Sequence, residues 1–374
     1  MAHDAPSPPR RPRRPAGESA GEAPPAARRL SPRRALHTRW ARASRALSIF
    51  ASPRSEPRTG DGDILSEREI EAAELARGLG IRAAYRPSGW DTLEPVPGRY
   101  DVSRFADGIR HLAERGFAVM VTLQVIDTLR RRVPADLADV PFDAPEMQER
   151  FRALFDALLP GLTSSVRFLS IGNEVDPYLH HNGGWVAYKT FLDRATAHVH
   201  ARAPWIRVGA TCTFIGAVSA SVLGVAFLNQ ATDVYAITYY PFAAPFDGSY
   251  SLSGPEAPRA DFPRLLALAG SKPVVLQEVG YPASDLFGSE ERQADFVHHV
   301  FAAWQATGRR IPFLSFFQLH DFPVEVCDVA GEYYSETNAD VIREFVSTLG
   351  LRRRDGTPRL AWQALAEHAR RFRP

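Results

Sequence analysis

Cysteine and long apolar runs are the scarcest features of this 374-residue chain. Its two cysteines, Cys212 and Cys327, do not suggest a disulfide framework or a cysteine-based metal site, and Cys212 lies in a predicted strand as a small core residue. No apolar run is long enough to cross a bilayer. The apolar stretch 46–51 is interrupted by Ser48 and is too short for a signal peptide. The default expectation is a cytoplasmic protein without a membrane span.

Charge is unevenly distributed along the chain. Residues 1–45 contain eleven arginines and three acidic residues and so carry +8, and because the whole chain carries +2, the remainder carries −6. An acidic body gives no reason to expect nucleic-acid binding. Residues 1–44 also contain eight prolines and almost no large apolar residues, which predicts a disordered tail. The tail could be a weak tether to an anionic surface, but simple solvation is the favoured interpretation.

From residue 45 onward, short apolar strands alternate with helical patterns. This alternation predicts parallel pairing through right-handed crossovers, and a length of 374 residues suits one large barrel. We therefore expect a monomeric single domain over 45–374 with the (β/α)8 TIM-barrel fold. A doubly wound open sheet is the alternative, but no Gly-rich phosphate loop follows the first strand. The eight predicted strands lie at about 46–51, 81–86, 117–124, 168–174, 206–212, 234–240, 273–279 and 313–319.

Two of these strands end on an isolated glutamate. Glu174 closes the fourth strand and Glu278 closes the seventh, and three βα units separate them. All strand ends of a barrel open on one face, so the two carboxyl groups should share a cavity. Glycosidic bond cleavage needs one carboxylic acid that protonates the leaving oxygen and one carboxylate that attacks or activates water. Either glutamate alone could be a helix cap or a salt-bridge partner, whereas the matched pair favours catalysis.

With the sequence motifs around these glutamates, the chain resembles clan A, the large clan of retaining TIM-barrel glycoside hydrolases. The resemblance covers most of residues 80–365. Ile171-Gly172-Asn173-Glu174 is similar to the Asn-Glu pair of strand four in that clan. The resemblance implies Glu174 as acid/base, Asn173 as donor to the sugar 2-hydroxyl and Glu278 as nucleophile. Gln277–Pro282 is most similar to the endo-β-galactanase and plant-type β-1,3-glucanase families.

The same resemblance implies further carbohydrate contacts. Tyr239-Tyr240-Pro241 resembles the Tyr-Tyr-Pro end of strand six in endo-galactanases, where a tyrosine bonds the nucleophile. Adjacent residues of a strand face opposite sides, so only one tyrosine should reach the site, and Tyr240 is favoured. Arg86 is similar to the arginine that steadies the nucleophile, although it could instead pair with a surface acid.

Other substrate-contact candidates lie in loops. Trp90 begins a Trp-x-x-Leu-Glu-Pro-x-x-Gly-x-Tyr-Asp loop that several clan families share, and it could stack on a sugar, as could Trp185. Burial against a helix is nearly as plausible for Trp185. Asp176 and Asp127 are candidate sugar contacts, with plain polar loop residues as the alternative interpretation. Strand eight lacks the clan's usual tryptophan and offers Phe317 and His320 nearby.

A retaining β-glycoside hydrolase acting on a β-linked oligo- or polysaccharide is the leading hypothesis. It needs no cofactor, and no metal is expected, because the adjacent His180 and His181 lack a third ligand at metal-site spacing. A catalytically silent glycan-binding barrel is the alternative that the missing tryptophan leaves open. A different TIM-barrel enzyme would need a metal cluster or a phosphate-binding glycine loop, of which Gly280 and Gly288 are only a weak version.

Overall fold

A computed structural model describes residues 45–52, 64–230, 232–242, 251–334 and 338–372. These belong to one compact unit, Ala43–Pro374. The predicted disordered tail, 1–44, lies outside the described residues.

The strands form one curled, mainly parallel sheet with the order β6-β5-β3-β2-β1-β10-β9-β8-β7. Both ends of this path lie in the segment 207–213, where β6 and β7 are two pieces of one interrupted strand, so the sheet closes on itself. The short β4 pairs with β3 in antiparallel orientation. The predicted (β/α)8 barrel is confirmed, and the open doubly wound sheet is excluded. The strands are β1 Ala46–Ile49, β2 Ala83–Gly89, β3 Ala118–Asp127, β4 Arg130–Arg131, β5 Val166–Asn173, β6 Arg207–Gly209, β7 Cys212–Thr213, β8 Tyr235–Tyr239, β9 Val274–Val279 and β10 Phe313–Phe316.

Helices connect successive strands and cover the outside of the barrel. Ser289 is the N-cap of one of them, since its hydroxyl accepts a hydrogen bond from the Arg292 amide at 3.3 Å. The helices are Ile64–Gly78, Trp90–Leu93, Ser103–Glu114, Pro145–Leu158, Val175–Asn182, Trp185–Arg202, Val222–Asn229, Pro258–Ala269, Glu290–Ala306, Val324–Tyr334, Ala339–Ser347 and Leu360–Arg371, with a π-helical turn at Gly216–Ala220.

The strands are buried on both faces, as parallel sheets in α/β proteins are. One set of strand side chains packs against the helices and forms a large apolar core between the sheet and the helices. The alternate set fills the barrel interior with small and aromatic residues, including Ala83, Tyr85, Met120, Phe168 and Phe313. Because the interior is packed with side chains, functional groups can only be presented at its carboxyl-terminal mouth.

Two helices that follow β10 lie over that mouth. Val324–Tyr334 and Ala339–Ser347 pack against each other. Phe345 contacts the rings of Tyr240 and Phe242, with centroid distances of 5.6 and 5.3 Å. These two helices therefore form one wall of the opening.

Candidate active site

The ends of β5 and β9 are joined by side chains that connect the two glutamates. Gln277 donates from Nε2 to Oδ1 of Asn173 at 2.6 Å. Thr238 pairs in register with Glu278 and donates its hydroxyl to Oε1 of Glu174 at 2.6 Å. The two carboxyl groups are therefore neighbours in one network, as the strand-end prediction requires.

A β-bulge turns Gln277 and Glu278 to the same side of the sheet. The pairing of β8 with β9 shifts between Ile237 and Thr238, so Gln277 is the extra residue of β9. Without this bulge, strand alternation would point one of the two side chains at the helices. The bulge therefore allows an amide and a carboxyl group to occupy the mouth side by side.

The orientation of Glu174 comes from unusual backbone geometry. Glu174 has a φ of 45°, in the left-handed region that non-glycine residues rarely adopt. Gly172 has a φ of 90°, and an added Cβ there would lie 2.4 Å from Val175 Cγ1, so only glycine fits. Thr128 donates its hydroxyl to Oε2 of Glu174 at 2.7 Å. Both carboxyl oxygens of Glu174 thus have a threonine partner.

Glu278 is held by a tyrosine. The Tyr240 hydroxyl donates to Oε2 of Glu278 at 2.7 Å. Gly280 lies against the Tyr240 ring, since an added Cβ would sit 2.6 Å from its Cε1 atom. The preceding tyrosine, Tyr239, faces the helices and donates to Asp261 at 2.7 Å. The expectation that only one tyrosine reaches Glu278 matches these contacts, and the substrate role of Tyr239 is not supported by its position.

Burial and mutual repulsion govern the charge of the pair. Burial, followed by the negative charge of Glu174, raises the pKa of Glu278 to about 8, although the Tyr240 hydrogen bond opposes this rise. Burial also raises the pKa of Glu174, against the hydrogen bonds from Thr238 and Thr128. Two buried neighbouring carboxyl groups repel each other when both are charged, so ionisation of one raises the pKa of the other.

A buried polar layer supports the mouth from below. Oε1 of Gln277 accepts hydrogen bonds from the hydroxyls of Thr122 and Thr211, both at 2.7 Å. Asn173 donates from Nδ2 to Asp127 at 3.0 Å and accepts from Gln277. Each side chain in this layer is fixed by its neighbours, so the amide of Asn173 has a defined orientation.

Aromatic rings surround one side of the mouth. Phe317, at the end of β10, stacks on Phe50 with 5.1 Å between centroids and 18° between ring planes. Phe50 also contacts Tyr85 at 5.8 Å. The charge of Glu278 contributes, after burial, to a raised pKa of the Tyr85 hydroxyl, so Tyr85 faces the pair. Sequence reasoning selected Phe317 but missed Phe50 and Tyr85, although Tyr85 directly precedes the selected Arg86.

Arg86 and Trp90 do not reach the site. The Arg86 guanidinium faces the helices, where it pairs with Glu69 at 3.2 Å and lies over the Phe105 ring at 5.7 Å. The prediction that Arg86 steadies the nucleophile is therefore corrected. Trp90 is fully buried and donates its indole N–H to Glu94 at 2.7 Å, so it cannot stack on a sugar.

Three further candidates for substrate contact instead pack against, or hydrogen-bond to, other parts of the protein. Asp176 is buried and accepts from the backbone N–H and hydroxyl of Thr213, both at 2.7 Å, so it anchors the helix that follows Glu174. Trp185 packs over Gly224 of the next helix. His320 is buried and its Nδ1 bonds the carbonyl oxygen of Ser52 at 2.7 Å, which ties the end of β10 to the segment after β1. None of these contacts presents a side chain to a sugar.

Within the described ranges, no cluster of three or more His, Cys, Asp or Glu residues could hold a metal ion. The side chains described at the mouth are two carboxyl groups, their hydroxyl and amide partners, and aromatic rings.

Solved structures of glycoside hydrolases share this fold. The GH5_18 protein of Streptomyces cattleya, in complex with Manβ1-4GlcNAc, is 18% identical over 88% of this chain and 81% of its own, with a TM-score of 0.68. The exo-β-1,4-mannosidase Op5Man5 of Opitutaceae bacterium strain TAV5 is 19% identical over 88% of this chain and 60% of its own, at 0.68. The β-glycosidase BGL167 is 16% identical over 87% and 91%, at 0.60.

The chain has the fold of TIM-barrel glycoside hydrolases. No protein-family model matches the sequence, and no curated protein matches it. At these identities the comparisons establish the fold, and the chemistry of the site has to be argued from its own residues.

Proposed function

We propose that the protein is a retaining β-glycoside hydrolase. Glu278 attacks the anomeric carbon while protonated Glu174 donates its proton to the departing oxygen, which breaks the glycosidic bond and leaves a glycosyl-enzyme ester. Glu174, now ionised, then takes a proton from water as the water releases the sugar. The observation that carries the proposal is the Thr238 link, since one residue pairs with Glu278 and bonds Glu174.

The hydrogen-bond donors favour this division of roles. Tyr240 donates to Glu278, and a hydrogen bond to a carboxylate oxygen favours the ionised form that a nucleophile needs. The partners of Glu174 are threonine hydroxyls, which can donate or accept. Glu174 can therefore gain and lose a proton with partners in place.

The sugar-binding surface is proposed from the same geometry. Asn173 lies one residue from Glu174, and its amide would donate to the 2-hydroxyl, with Asp127 as its present partner. The stacked Phe50 and Phe317 rings would provide the apolar platform that a strand-eight tryptophan supplies elsewhere in the clan. This proposal replaces Trp90 and Trp185 as stacking residues.

A short β-linked glycan with mannose or glucose at its non-reducing end is the proposed substrate class. The GH5_18 structure with Manβ1-4GlcNAc and the exo-β-1,4-mannosidase have the same fold and support this substrate class. The resemblance to endo-β-galactanases and plant-type β-1,3-glucanases rests on short motifs at strand ends and stays a prediction. The wall formed by helix Val324–Tyr334 narrows the mouth near Thr128, since the hydroxyls of Tyr334 and Thr128 lie 3.3 Å apart. A narrowed mouth favours action at chain ends.

A substrate panel tests the proposal. Purified protein is incubated with aryl β-mannoside, β-glucoside and β-galactoside, with Manβ1-4GlcNAc, and with β-1,3- and β-1,4-linked polysaccharides. Hydrolysis by the wild type and its loss in Glu278→Gln, with unchanged circular dichroism, would support the assignment. Glu174→Ala should regain turnover of an activated aryl glycoside with azide. Full activity of Glu278→Gln, or an inverted product, would refute it, and glycan binding without hydrolysis would favour the silent barrel.

The remaining expectations concern the location of the protein, its oligomeric state and its N-terminal tail. None of the described helices is long and apolar enough to span a bilayer. A cytoplasmic location, a monomeric state and a solvated tail remain proposals, which fractionation and size-exclusion chromatography would test.

A further inference from the structure

Two hydrogen-bonded residues at the mouth share a rare backbone conformation. In the part of the chain that the structure describes, Thr128 and Glu174 are the non-glycine residues with positive φ, at 46° and 45°. A β-branched residue in this region is a genuine outlier, and such strain costs about 1–3 kcal/mol. Thr128 nevertheless donates its hydroxyl to Glu174 at 2.7 Å and its amide to the carbonyl of Asn173 at 3.0 Å. Strain shared by two partners at a site points to a function for their contact.

The helix Val324–Tyr334 contacts Thr128 and the residues that precede and follow it in the chain. The Tyr334 hydroxyl lies 3.3 Å from Oγ1 of Thr128. The neighbouring Tyr333 hydroxyl accepts from the Leu129 amide at 3.0 Å and donates to the Asp127 carbonyl oxygen. This short segment after β3 is therefore held between Glu174 and two tyrosines.

We propose that Thr128 is a positioning residue for the acid/base Glu174, and that Tyr334 completes a reversible chain of hydroxyl groups behind it. The inference rests on the proposed function and deepens it. When Glu174 is ionised, Tyr334 donates to Thr128, which donates to Oε2. When Oε2 is protonated in the free enzyme, it donates to Thr128, whose hydroxyl turns to donate to the Tyr334 oxygen; rotation about the C–O bond directs the same proton to the glycosidic oxygen once substrate binds. Only hydrogen bonds exchange, so the carboxyl group keeps a partner and its orientation in both steps.

The proposal predicts an effect on acidity as well as on geometry. The bond from Thr128 to the charged carboxylate lowers the pKa of Glu174 against the effect of burial, so its removal should raise that pKa. The Thr128 variants leave the other titratable groups around Glu174 unsubstituted. These groups are Tyr85, Asp127, Asp176, Cys212, Tyr240, Glu278, Tyr333 and Tyr334.

The experiment compares the pH dependence of kcat/KM in four variants with the wild type, on the best aryl substrate of the panel. Thr128→Val should move the alkaline limb, which reports protonated Glu174, upward by about 1 pH unit. Thr128→Ser should keep the wild-type limb because it keeps the hydroxyl. Tyr334→Phe should move the limb in the same direction by less. Thr190→Val, a matched change on the helix Trp185–Arg202, should leave it unmoved.

Leaving-group dependence supplies a second readout. Thr128→Val should lose about 10-fold more kcat/KM on a substrate with a poor leaving group than on an activated aryl glycoside, because only the former needs the acid. An unchanged alkaline limb in both Thr128→Val and Tyr334→Phe would overturn the inference and leave the proposed function intact. A wild type that hydrolyses no panel member would defeat the proposed function first. If Thr128→Val fails to fold, the limb of Tyr334→Phe decides.

Discussion

Removal of the Tyr240 hydroxyl is the sharpest test of the nucleophile assignment. In Tyr240→Phe, Oε2 of Glu278 loses a donor at 2.7 Å while the ring remains packed against Phe345. A hydrogen bond to a charged group contributes about 1.5–3 kcal/mol, and each 1.4 kcal/mol corresponds to about tenfold in rate, so we expect kcat/KM to fall by about 10–100-fold.

The sign of the pH effect follows from the role of Glu278. The hydrogen bond favours the ionised carboxylate, so its removal raises the pKa of Glu278 further. A nucleophile works only when ionised, so the acidic limb of the kcat/KM profile should move to higher pH, and the loss should be greatest below that limb.

Tyr239→Phe is the matched control, because the preceding tyrosine bonds Asp261 on the helix side of the strand. Initial rates across pH 4–9 on an aryl glycoside, with circular dichroism of each variant, suffice. A Tyr240→Phe profile that coincides with the wild type, or a Tyr239→Phe profile that shifts equally, would show that Tyr240 does not tune the nucleophile.

Three further outcomes concern stability. Glu94 is buried against Arg150 and accepts from the Trp90 indole, so Glu94→Ala should cost about 3–5 kcal/mol in urea unfolding, and a loss below 1 kcal/mol would contradict the buried pair. Gly172→Ala should cost about 2 kcal/mol or more because of its φ of 90° and the blocked Cβ position, whereas Gly183→Ala, with open space around it, should cost less in the same assay. Burial and the neighbouring His298 lower the pKa of His368, so neutral His368 contributes stability that is present above its unfolded pKa of about 6.5 and is lost as pH falls through its lower folded pKa; thermal unfolding from pH 8 to 5 should show a decline that His298→Gln reduces.

The barrel could be predicted because its signals repeat along the chain. Eight apolar strands with helices between them admit few topologies, and the predicted strand positions agree with the observed ones to within a few residues. The two glutamates and Tyr240 could be selected because each ends a strand, a position that has a fixed meaning in this fold. The resemblance to galactanases and glucanases rested on strings of a few residues and is not confirmed by the comparisons.

The direction of individual side chains was harder to predict. Arg86 and Tyr85 are adjacent in β2, so an error of one residue exchanges the barrel interior for the helix layer. Trp90 was misread because a tryptophan in a loop can equally be a buried anchor, and its partner Glu94 is evident only from the fold. Thr128 carried no sequence signal, since its position depends on its contact with a residue 46 positions away.

Local irregularities, rather than regular strands, bring the proposed catalytic groups together. A regular parallel strand would place only alternate residues at the mouth, yet Gln277 and Glu278 both face it because of the bulge in β9, and Asn173 and Glu174 both contribute because the chain turns at a φ of 45°. Gln277 and Asn173 hydrogen-bond to each other and so join β9 to β5. The residues that follow them, Glu278 and Glu174, supply the carboxyl groups. The bond that fixes the two strand ends thereby fixes the relative position of the carboxyl groups, which is the preorganisation that the proposed acid and nucleophile would need to act on one bond.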